Sequence, residues 1–127
     1  MNSALKSLLL FVLLAAAGFA ADDFAETKKK AEAGDAVAQN TLGNMYYNGE
    51  GVPKDNAEAV KWWRKAADQG NAKAQYTLGS MYEVGECVPK DTAEAIKWFR
   101  LAADQGHVDA QFNLGFMYAN GTGVPKD

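Results

Sequence analysis

A repeat of 36 residues is the feature that most constrains how this chain can fold. Residues 34–69 and 70–105 are identical at 25 of 36 aligned positions, and residues 106–127 match residues 70–91 at 12 of 22 positions. Repeats of this length are typical of solenoids, in which each unit buries its apolar face against its neighbours. The sequence predicts two complete units, 34–69 and 70–105, and a partial third unit, 106–127, with a first helix and a loop only.

Glycines and capping residues predict two helices in each complete unit. Glycine favours the position just after a helix end, and it recurs at the start and in the middle of every copy: Gly34, Gly70, Gly106, Gly49, Gly85 and Gly121. Asp55 and Asp91 each precede a glutamate by three residues, which predicts a capping box at the second helix. Asp35, Asn71 and His107 stand at equivalent positions, so we expect His107 to cap the first helix rather than to bind metal or transfer protons.

The recurring pattern AQxxLGxMYxxGxGVPKDxxEAxKWxRxAADQG resembles the Sel-one-like repeat, a relative of the tetratricopeptide repeat with longer loops. The resemblance covers residues 34–127. It implies an all-α fold, an α/α solenoid of antiparallel helix pairs, that acts as a scaffold for protein contacts. Residues 22–33 align with a second helix but have lost both tryptophans, so residues 21–33 are expected to form a polar N-terminal capping helix.

Charge and motif content exclude several classes of function. Lys6 is the only charged residue before Asp22, so the rest of the chain carries 12 basic and 16 acidic residues. This balance gives no electrostatic footprint for nucleic acid. The sequence has no glycine-rich phosphate loop, no paired nucleophile and base, and no cluster of metal ligands. We therefore predict a protein without enzymatic activity, cofactor or metal.

The first twenty residues have the composition of a secretory signal peptide. One basic residue precedes an apolar run from Leu8 to Ala17, and small residues follow it. The run is shorter than the roughly 20 residues that a membrane span needs. We expect cleavage between Ala20 and Ala21, a secreted or periplasmic location, and no stable membrane insertion afterwards. Cys87 is the only cysteine, so no disulfide can form within the chain.

Two arcs of the first helices differ in how much they change between copies. Constant positions, exemplified by Ala38 and Leu42, fall within about 160° of the helix circumference, which predicts the packed face. Gly43, Gly79 and Gly115 lie within this arc, where the missing side chain is expected to let neighbouring helices approach closely. Varying positions occupy another arc of about 100°, which predicts a solvent-facing surface that binds a partner. The candidate binding residues are Asn40, Asn44, Tyr47, Tyr76, Ser80, Glu83, Phe112 and Phe116.

On the second helices, Val60, Trp63 and Ala67 share one face, which is expected to carry most of the packing. Trp62 and Trp98 are expected at the edge of that face.

The sequence leaves several alternatives open. Phe112 and Phe116 are either part of the binding surface or buried by neighbouring helices. The third unit lacks its second helix, so the chain is a fragment of a longer array, or a partner or a second copy covers that end by self-association. The favoured function is an exported scaffold for a protein or peptide partner. A weak β-lactam-binding or hydrolysing protein, as in the cysteine-rich branch of the resembling family, and a structural piece of a larger envelope assembly are the alternatives.

Overall fold

Six helices follow one another in residues 23–122, the part of the chain that the computed structural model describes, and this part contains no strand. They are α1 (23–32), α2 (Ala36–Asn48), α3 (Asn56–Asp68), α4 (Ala72–Val84), α5 (Thr92–Asp104) and α6 (Val108–Asn120). Helices α2 and α3 form one antiparallel pair and α4 and α5 the next, while α3 packs on α4 and α5 on α6. The predicted α/α solenoid with a 36-residue period is confirmed.

The first helix of each unit begins at the predicted capping residue. The side chains of Asp35 and Asn71 accept hydrogen bonds from the amides of residues 38 and 74, each at 2.9 Å. His107 does the same through Nδ1, which accepts from the amide of Ala110 at 3.2 Å. His107 is therefore a helix cap, as expected, because its ring nitrogen satisfies an otherwise free amide.

The second helix of each unit has only half of the predicted capping box. Asp55 accepts a hydrogen bond from the amide of Glu58 at 3.1 Å. The reciprocal bond is absent from the described residues: the amide of Asp55 donates to the carbonyl of Tyr46 at 2.9 Å, and the Glu58 carboxylate accepts from the indole of Trp62 at 3.2 Å. The prediction of a complete box is wrong because the loop is tied back to α2 and a buried indole needs the carboxylate.

Three buried clusters follow the repeat along the chain. The first joins α1, α2 and α3, the second joins α3, α4 and α5, and the third joins α5 and α6. Leucine recurs at the centre of each, as Leu42, Leu78 and Leu114. Trp62 and Trp98 are 5% and 4% exposed, so the expectation that they lie at an edge is wrong. They are core residues because each packs back against the preceding helices as well as within its own unit.

A ladder of glutamine amides connects the helices through the core. Gln39 donates to the carbonyl of Ala31 on α1 at 3.1 Å and accepts from the amide of Gln69 at 2.7 Å. Its equivalent Gln75 makes the same two bonds, to Ala67 and from Gln105, and Gln111 donates to Ala103. Gln39 and Gln75 therefore satisfy buried polar groups beside them, whereas the bond of Gln111 is exposed.

Glycine on a first helix permits close approach of the second helix. A Cβ atom built on Gly43 would lie 2.5 Å from Cδ1 of Trp63, and one built on Gly79 would lie 2.7 Å from Cδ1 of Phe99. The predicted close packing is confirmed at both positions. The same expectation is wrong for Gly115 within the described residues, because no second helix lies against α6 there and a Cβ atom built on Gly115 has no neighbour within 4 Å.

Candidate interaction surface

The three first helices α2, α4 and α6 present equivalent rows of side chains away from the core. We call these rows the exposed stripe; they comprise Val37, Thr41, Asn44, Asn48, Lys73, Thr77, Ser80, Val84, Asp109, Asn113, Phe116 and Asn120, all exposed or half-buried. Their spacing of four, three and four residues keeps each row on one side of its helix. Lys73 and Asp109 are the only ionisable side chains in the stripe, so it is predominantly uncharged.

A second strip of each first helix faces the second helix of the same unit. We call it the pairing face; it comprises Ala36, Asn40, Gly43 and Tyr47 on α2, Ala72, Tyr76, Gly79 and Glu83 on α4, and Val108, Phe112, Gly115 and Ala119 on α6. The rings of Tyr47 and Trp63 lie 5.6 Å apart, and those of Tyr76 and Phe99 lie 5.7 Å apart. The predicted binding arc therefore divides between two different environments.

Asn40 and Tyr76 are on the pairing face and do not form part of a free surface. Asn40 is only 9% exposed, so the expectation that it faces solvent is wrong. Its side-chain oxygen is buried and has no hydrogen-bond partner among the described residues. Tyr76 stacks on the His107 ring, with a centroid separation of 4.7 Å, and packs against the third core cluster. Tyr76 therefore lies within the contact between successive units, and Asn40 is buried.

Asn44 and Ser80 are equivalent residues of the exposed stripe that border the pairing face. Asn44 is exposed and its side-chain oxygen accepts a hydrogen bond from the indole nitrogen of Trp63 at 2.9 Å. In the next unit Phe99 stands at the position of Trp63 and has no donor, and the hydroxyl of Ser80 donates to the carbonyl of Tyr76 at 3.1 Å. The residue at this position thus matches the hydrogen-bonding capacity of the paired aromatic side chain.

Tyr47 connects the first unit to the loop of the second. Its hydroxyl donates a hydrogen bond to the Glu86 carboxylate, and the Lys54 ammonium lies 5.2 Å from the centre of its ring. The hydrogen bond to Glu86 raises the pKa of Tyr47 above its ordinary value of 10.0, and burial adds to this effect. Glu83, the next-to-last residue of α4, is half-buried. The hydrogen bond of Tyr47 to Glu86 lies at the junction between the two units.

Phe112 and Phe116 are exposed by 72% and 61%, the most exposed aromatic side chains of the described residues. They are the equivalents of Tyr76 and Ser80, which contact or border α5. No second helix covers α6 within residues 23–122. Their exposure therefore follows from an uncovered pairing face, and the alternative that neighbouring helices bury them does not hold in this part of the chain.

Thr41 and Thr77 belong to the exposed stripe but were missed by comparing copies, because threonine stands at both positions. Each hydroxyl donates to the carbonyl four residues earlier, as a threonine on a solvent-facing side of a helix commonly does. The four-three-four spacing from Val37 was the sequence feature that could have identified them.

A groove of about 240 Å³ lies between α1 and the start of α2. It is lined by Thr27, Lys30, Asp35, Val37, Ala38 and Thr41. Thr27 stands one period before Trp63, so a small side chain occupies the place of a large one. The groove contains none of the eight candidate residues, although it adjoins the stripe at Val37 and Thr41.

The loop before α5 contains the single cysteine. Cys87 is half-buried and has a positive φ of 64°, close to the 72° of its equivalent Gly51. Burial is the main cause that raises the pKa of its thiol, and the nearby Glu86 carboxylate adds to it. A raised pKa makes this thiol a poor nucleophile at neutral pH.

Within residues 23–122, no group of three or more His, Cys, Asp or Glu side chains could hold a metal ion. None of the described helices has both the length and the apolar character that crossing a membrane requires. The predicted signal peptide, residues 1–20, and the last part of the partial third unit lie outside the described residues.

Comparison with known proteins agrees with the geometry. The Sel1 repeat family model matches residues 36–71, 72–107 and 108–127. No curated protein matches the chain significantly.

Solved structures with the same fold come from several bacteria. A protective antigen of uropathogenic Escherichia coli that displays an SLR fold is 46% identical, with a TM-score of 0.79 over 82% of this chain. A Sel1 repeat protein from Oxalobacter formigenes is 48% identical, with a TM-score of 0.71 over 75% of the chain. Cysteine-rich protein B of Helicobacter pylori is 30% identical, with a TM-score of 0.68 over 72% of the chain.

These relatives differ in length from this chain, which spans 22% of the E. coli antigen, 39% of the O. formigenes protein and 68% of the H. pylori protein. The family model matches three successive repeats, and the structure has the helix pairs and the 36-residue period of that family. The chain belongs to the Sel1 repeat family of helical-repeat scaffolds, whose members generally mediate protein–protein interaction.

Proposed function

We propose that this chain is an exported scaffold that binds a protein or an extended peptide along the exposed stripe of α2, α4 and α6. The observation that carries the proposal is the pattern of change along the stripe. Equivalent positions stay exposed or half-buried while their chemistry changes, as from Asn44 to Ser80 to Phe116. Side chains that differ in successive rows can distinguish successive segments of a partner.

The mainly uncharged character of the stripe limits the class of partner. Only Lys73 and Asp109 carry charge there, and these have opposite signs. Amide, hydroxyl and small apolar side chains suit backbone hydrogen bonds and modest apolar contacts of a peptide. The surface is therefore better suited to an extended polypeptide than to an anionic polymer such as nucleic acid.

Of the original candidates, Asn44, Tyr47, Ser80 and Glu83 border or belong to the stripe on α2 and α4. The hydrogen bond to Glu86 fixes the orientation of the Tyr47 side chain. In this proposal Tyr47 contacts the partner at the edge of the stripe without changing its conformation. Thr41, Thr77 and Val84 extend the same surface and are added to the proposed site.

Export rests on the predicted signal peptide, and the similarity to a protective antigen agrees with a location outside the cytoplasm. Amino-terminal sequencing of the protein from the periplasmic fraction tests whether the chain is exported and the signal peptide is cleaved. Ala21 as the first residue supports cleavage, whereas a protein that keeps Met1 and stays in the cytoplasm contradicts it.

Partner capture from the native envelope fraction tests the binding surface. Val37→Arg with Val84→Arg changes the stripe at two highly exposed apolar positions. Ala57→Arg with Leu101→Arg is the matched control, because it adds the same charge at exposed positions of α3 and α5. Loss of captured protein with the first pair alone supports the proposal. Equal capture by both pairs contradicts it.

A further inference from the structure

The groove between α1 and the start of α2 is a concave site that opens beside the exposed stripe. Its volume of about 240 Å³ is below the roughly 300 Å³ at which pockets for small molecules begin, so it suits a single side chain. Val37 and Thr41, two of its lining residues, also belong to the stripe. A partner that lies along the stripe therefore passes the mouth of the groove.

A small side chain on α1 distinguishes this place from its equivalents in the later units. Thr27 stands one period before Trp63 and two periods before Phe99, whose rings are 1% and 0% exposed. Thr27 is half-buried and lines the groove. The first unit thus has a short polar side chain where the later helices have a buried aromatic ring.

The lining combines apolar surface with hydroxyl groups. Val37 and Ala38 supply methyl groups, and Thr27 and Thr41 each add a methyl and a hydroxyl group. The Thr41 hydroxyl donates its proton to the carbonyl of Val37 at 3.0 Å, which leaves its oxygen available as an acceptor. The groove therefore offers apolar contact to an aliphatic stem and an oxygen acceptor to a polar group at the end of that stem.

Asp35 supplies the negative charge of the groove. Its Oδ1 atom accepts the capping bond from the amide of Ala38 at 2.9 Å, and its carboxylate forms no ion pair with a Lys or Arg side chain of residues 23–122. Asp35 is exposed, so a ligand can reach it. The equivalent caps are Asn71 and His107, so only the first unit has a carboxylate at this position.

The one cation of the lining already has a partner. The Nζ atom of Lys30 lies 3.2 Å from Oε1 of Glu26, one turn earlier on α1. Together with Asp35 these side chains carry one net negative charge. The chain after residue 20 has 16 acidic and 12 basic residues, so its overall field also attracts a cation.

We infer that this groove binds an arginine side chain of the partner, whose guanidinium pairs with the Asp35 carboxylate while its methylene stem lies against Val37 and Thr27. A planar guanidinium carries five donors, which match a carboxylate and hydroxyl oxygens better than the point charge of a lysine does. The inference deepens the proposed function, on which it rests, because a contact at one end of the stripe fixes the register of the bound chain.

Titration of the isotopically labelled protein with N-acetyl-arginine methylamide, followed through the amide NMR shifts, tests the inference. We expect shifts confined to the groove, with a dissociation constant on the order of 1–10 mM for this single exposed contact. N-acetyl-norleucine methylamide keeps a stem without the cation and should bind roughly fivefold more weakly. N-acetyl-glutamate methylamide carries the opposite charge and should not bind there.

Two variants separate the charge of the groove from its shape. Asp35→Asn removes the charge and keeps the cap, since Asn71 caps α4 in the same way, and it should weaken binding of the arginine probe roughly fivefold. Asp109→Asn removes an exposed carboxylate of the stripe on α6 and is the matched control, with unchanged binding. Thr27→Trp introduces the residue of the second unit and should abolish binding. Circular dichroism checks that each variant keeps its helices.

The inference is overturned by an arginine probe that shifts no amide of the groove, by equal binding of the norleucine probe, or by preferred binding of the glutamate probe. Undiminished affinity in Asp35→Asn or in Thr27→Trp overturns it as well. These outcomes differ from a failure of the proposed function, because the probe needs no partner. Normal probe binding combined with equal partner capture by the stripe and control variants would contradict the proposed function alone.

Discussion

Gly43 of α2 lies beneath the indole ring of Trp63 of α3, so close that a Cβ atom on the glycine would stand 2.5 Å from Cδ1 and 2.6 Å from Nε1 of the ring. The indole is rigid and 1% exposed, so it has nowhere to move. It is also held by its hydrogen bond to Asn44, one residue further along α2. The absence of a side chain at Gly43 thus sets the distance between the two helices.

Gly43→Ala should lower the free energy of unfolding by roughly 1–3 kcal/mol, because the added methyl group overpacks the contact with Trp63. Gly115→Ala is the matched control at the equivalent position of α6, where the methyl group meets nothing within 4 Å. It should raise the free energy by about 1 kcal/mol through helix propensity. Urea denaturation at low protein concentration measures both. Shifts of the same sign would contradict the close-packing argument.

Cys87→Gly should raise the free energy of unfolding by roughly 1 kcal/mol. Cys87 adopts a φ of 64°, in the left-handed region where a side chain is disfavoured and glycine is not. The reverse change at the equivalent position, Gly51→Cys, should destabilise by a similar amount, since Gly51 has a φ of 72°. Thermal unfolding in reducing buffer measures the two variants. If Cys87→Gly were less stable than the parent, burial of the thiol would outweigh the backbone conformation.

Asn40→Leu should raise the free energy of unfolding by about 1 kcal/mol, because it removes a buried acceptor that has no partner in residues 23–122 and replaces it with an apolar side chain of similar size. Gln39→Leu is the matched comparison at the neighbouring buried amide. It should lower the free energy by roughly 1–3 kcal/mol, because it leaves the Ala31 carbonyl and the Gln69 amide without their partner. Chemical denaturation of both variants distinguishes them, and equal losses would show that both amides are equally satisfied.

Alkaline pH should weaken the fold through its tyrosines. Burial is the main cause that raises the pKa of Tyr46, and the hydrogen bond to Glu86 is the main cause for Tyr47. A folded-state pKa above the unfolded value contributes stability that is complete below about pH 10 and is lost as the pH rises through the raised pKa. The free energy of unfolding should therefore fall above about pH 10.

Titration of the phenolate absorbance checks the assignment of Tyr47. Glu86→Gln should move one of the five tyrosines of the chain to a lower pKa, because the carboxylate no longer favours the protonated phenol. Glu83→Gln, on the same unit, should leave the titration curve unchanged. An unchanged curve with Glu86→Gln would show that the hydrogen bond to Glu86 does not raise the pKa of Tyr47.

The sequence predicted the repeat, the helix pairs and the caps because these depend on local features that recur in the chain. Gly43 and Gly79 were correctly expected at close contacts, since glycine at a constant, inward-facing helix position has few other uses. His107 was correctly interpreted by its alignment with Asp35 and Asn71. In each case the role of a residue was inferred from the residues at the equivalent position in the other repeats.

The surface was harder to predict, because variation between copies does not reveal exposure. Asn40 varies as much as Asn44 does, but the first is buried and the second is exposed. Trp62 was misplaced for a related reason: the helical period shows which side chains share a face, and it does not show that both sides of α3 are covered. The burial of both side chains depends on contacts between helices, and the sequence pattern of one helix carries no information about such contacts.

The glutamine ladder has a direction. Gln39 and Gln75 each donate towards the preceding unit and accept from the glutamine that follows the second helix of their own unit, so both amides point the same way along the molecule. Duplicating or deleting one whole period would recreate a complete donor and acceptor pair at the new junction. A gain or loss of any other length would leave buried amides mismatched, so we expect the array to tolerate insertions and deletions only in steps of 36 residues.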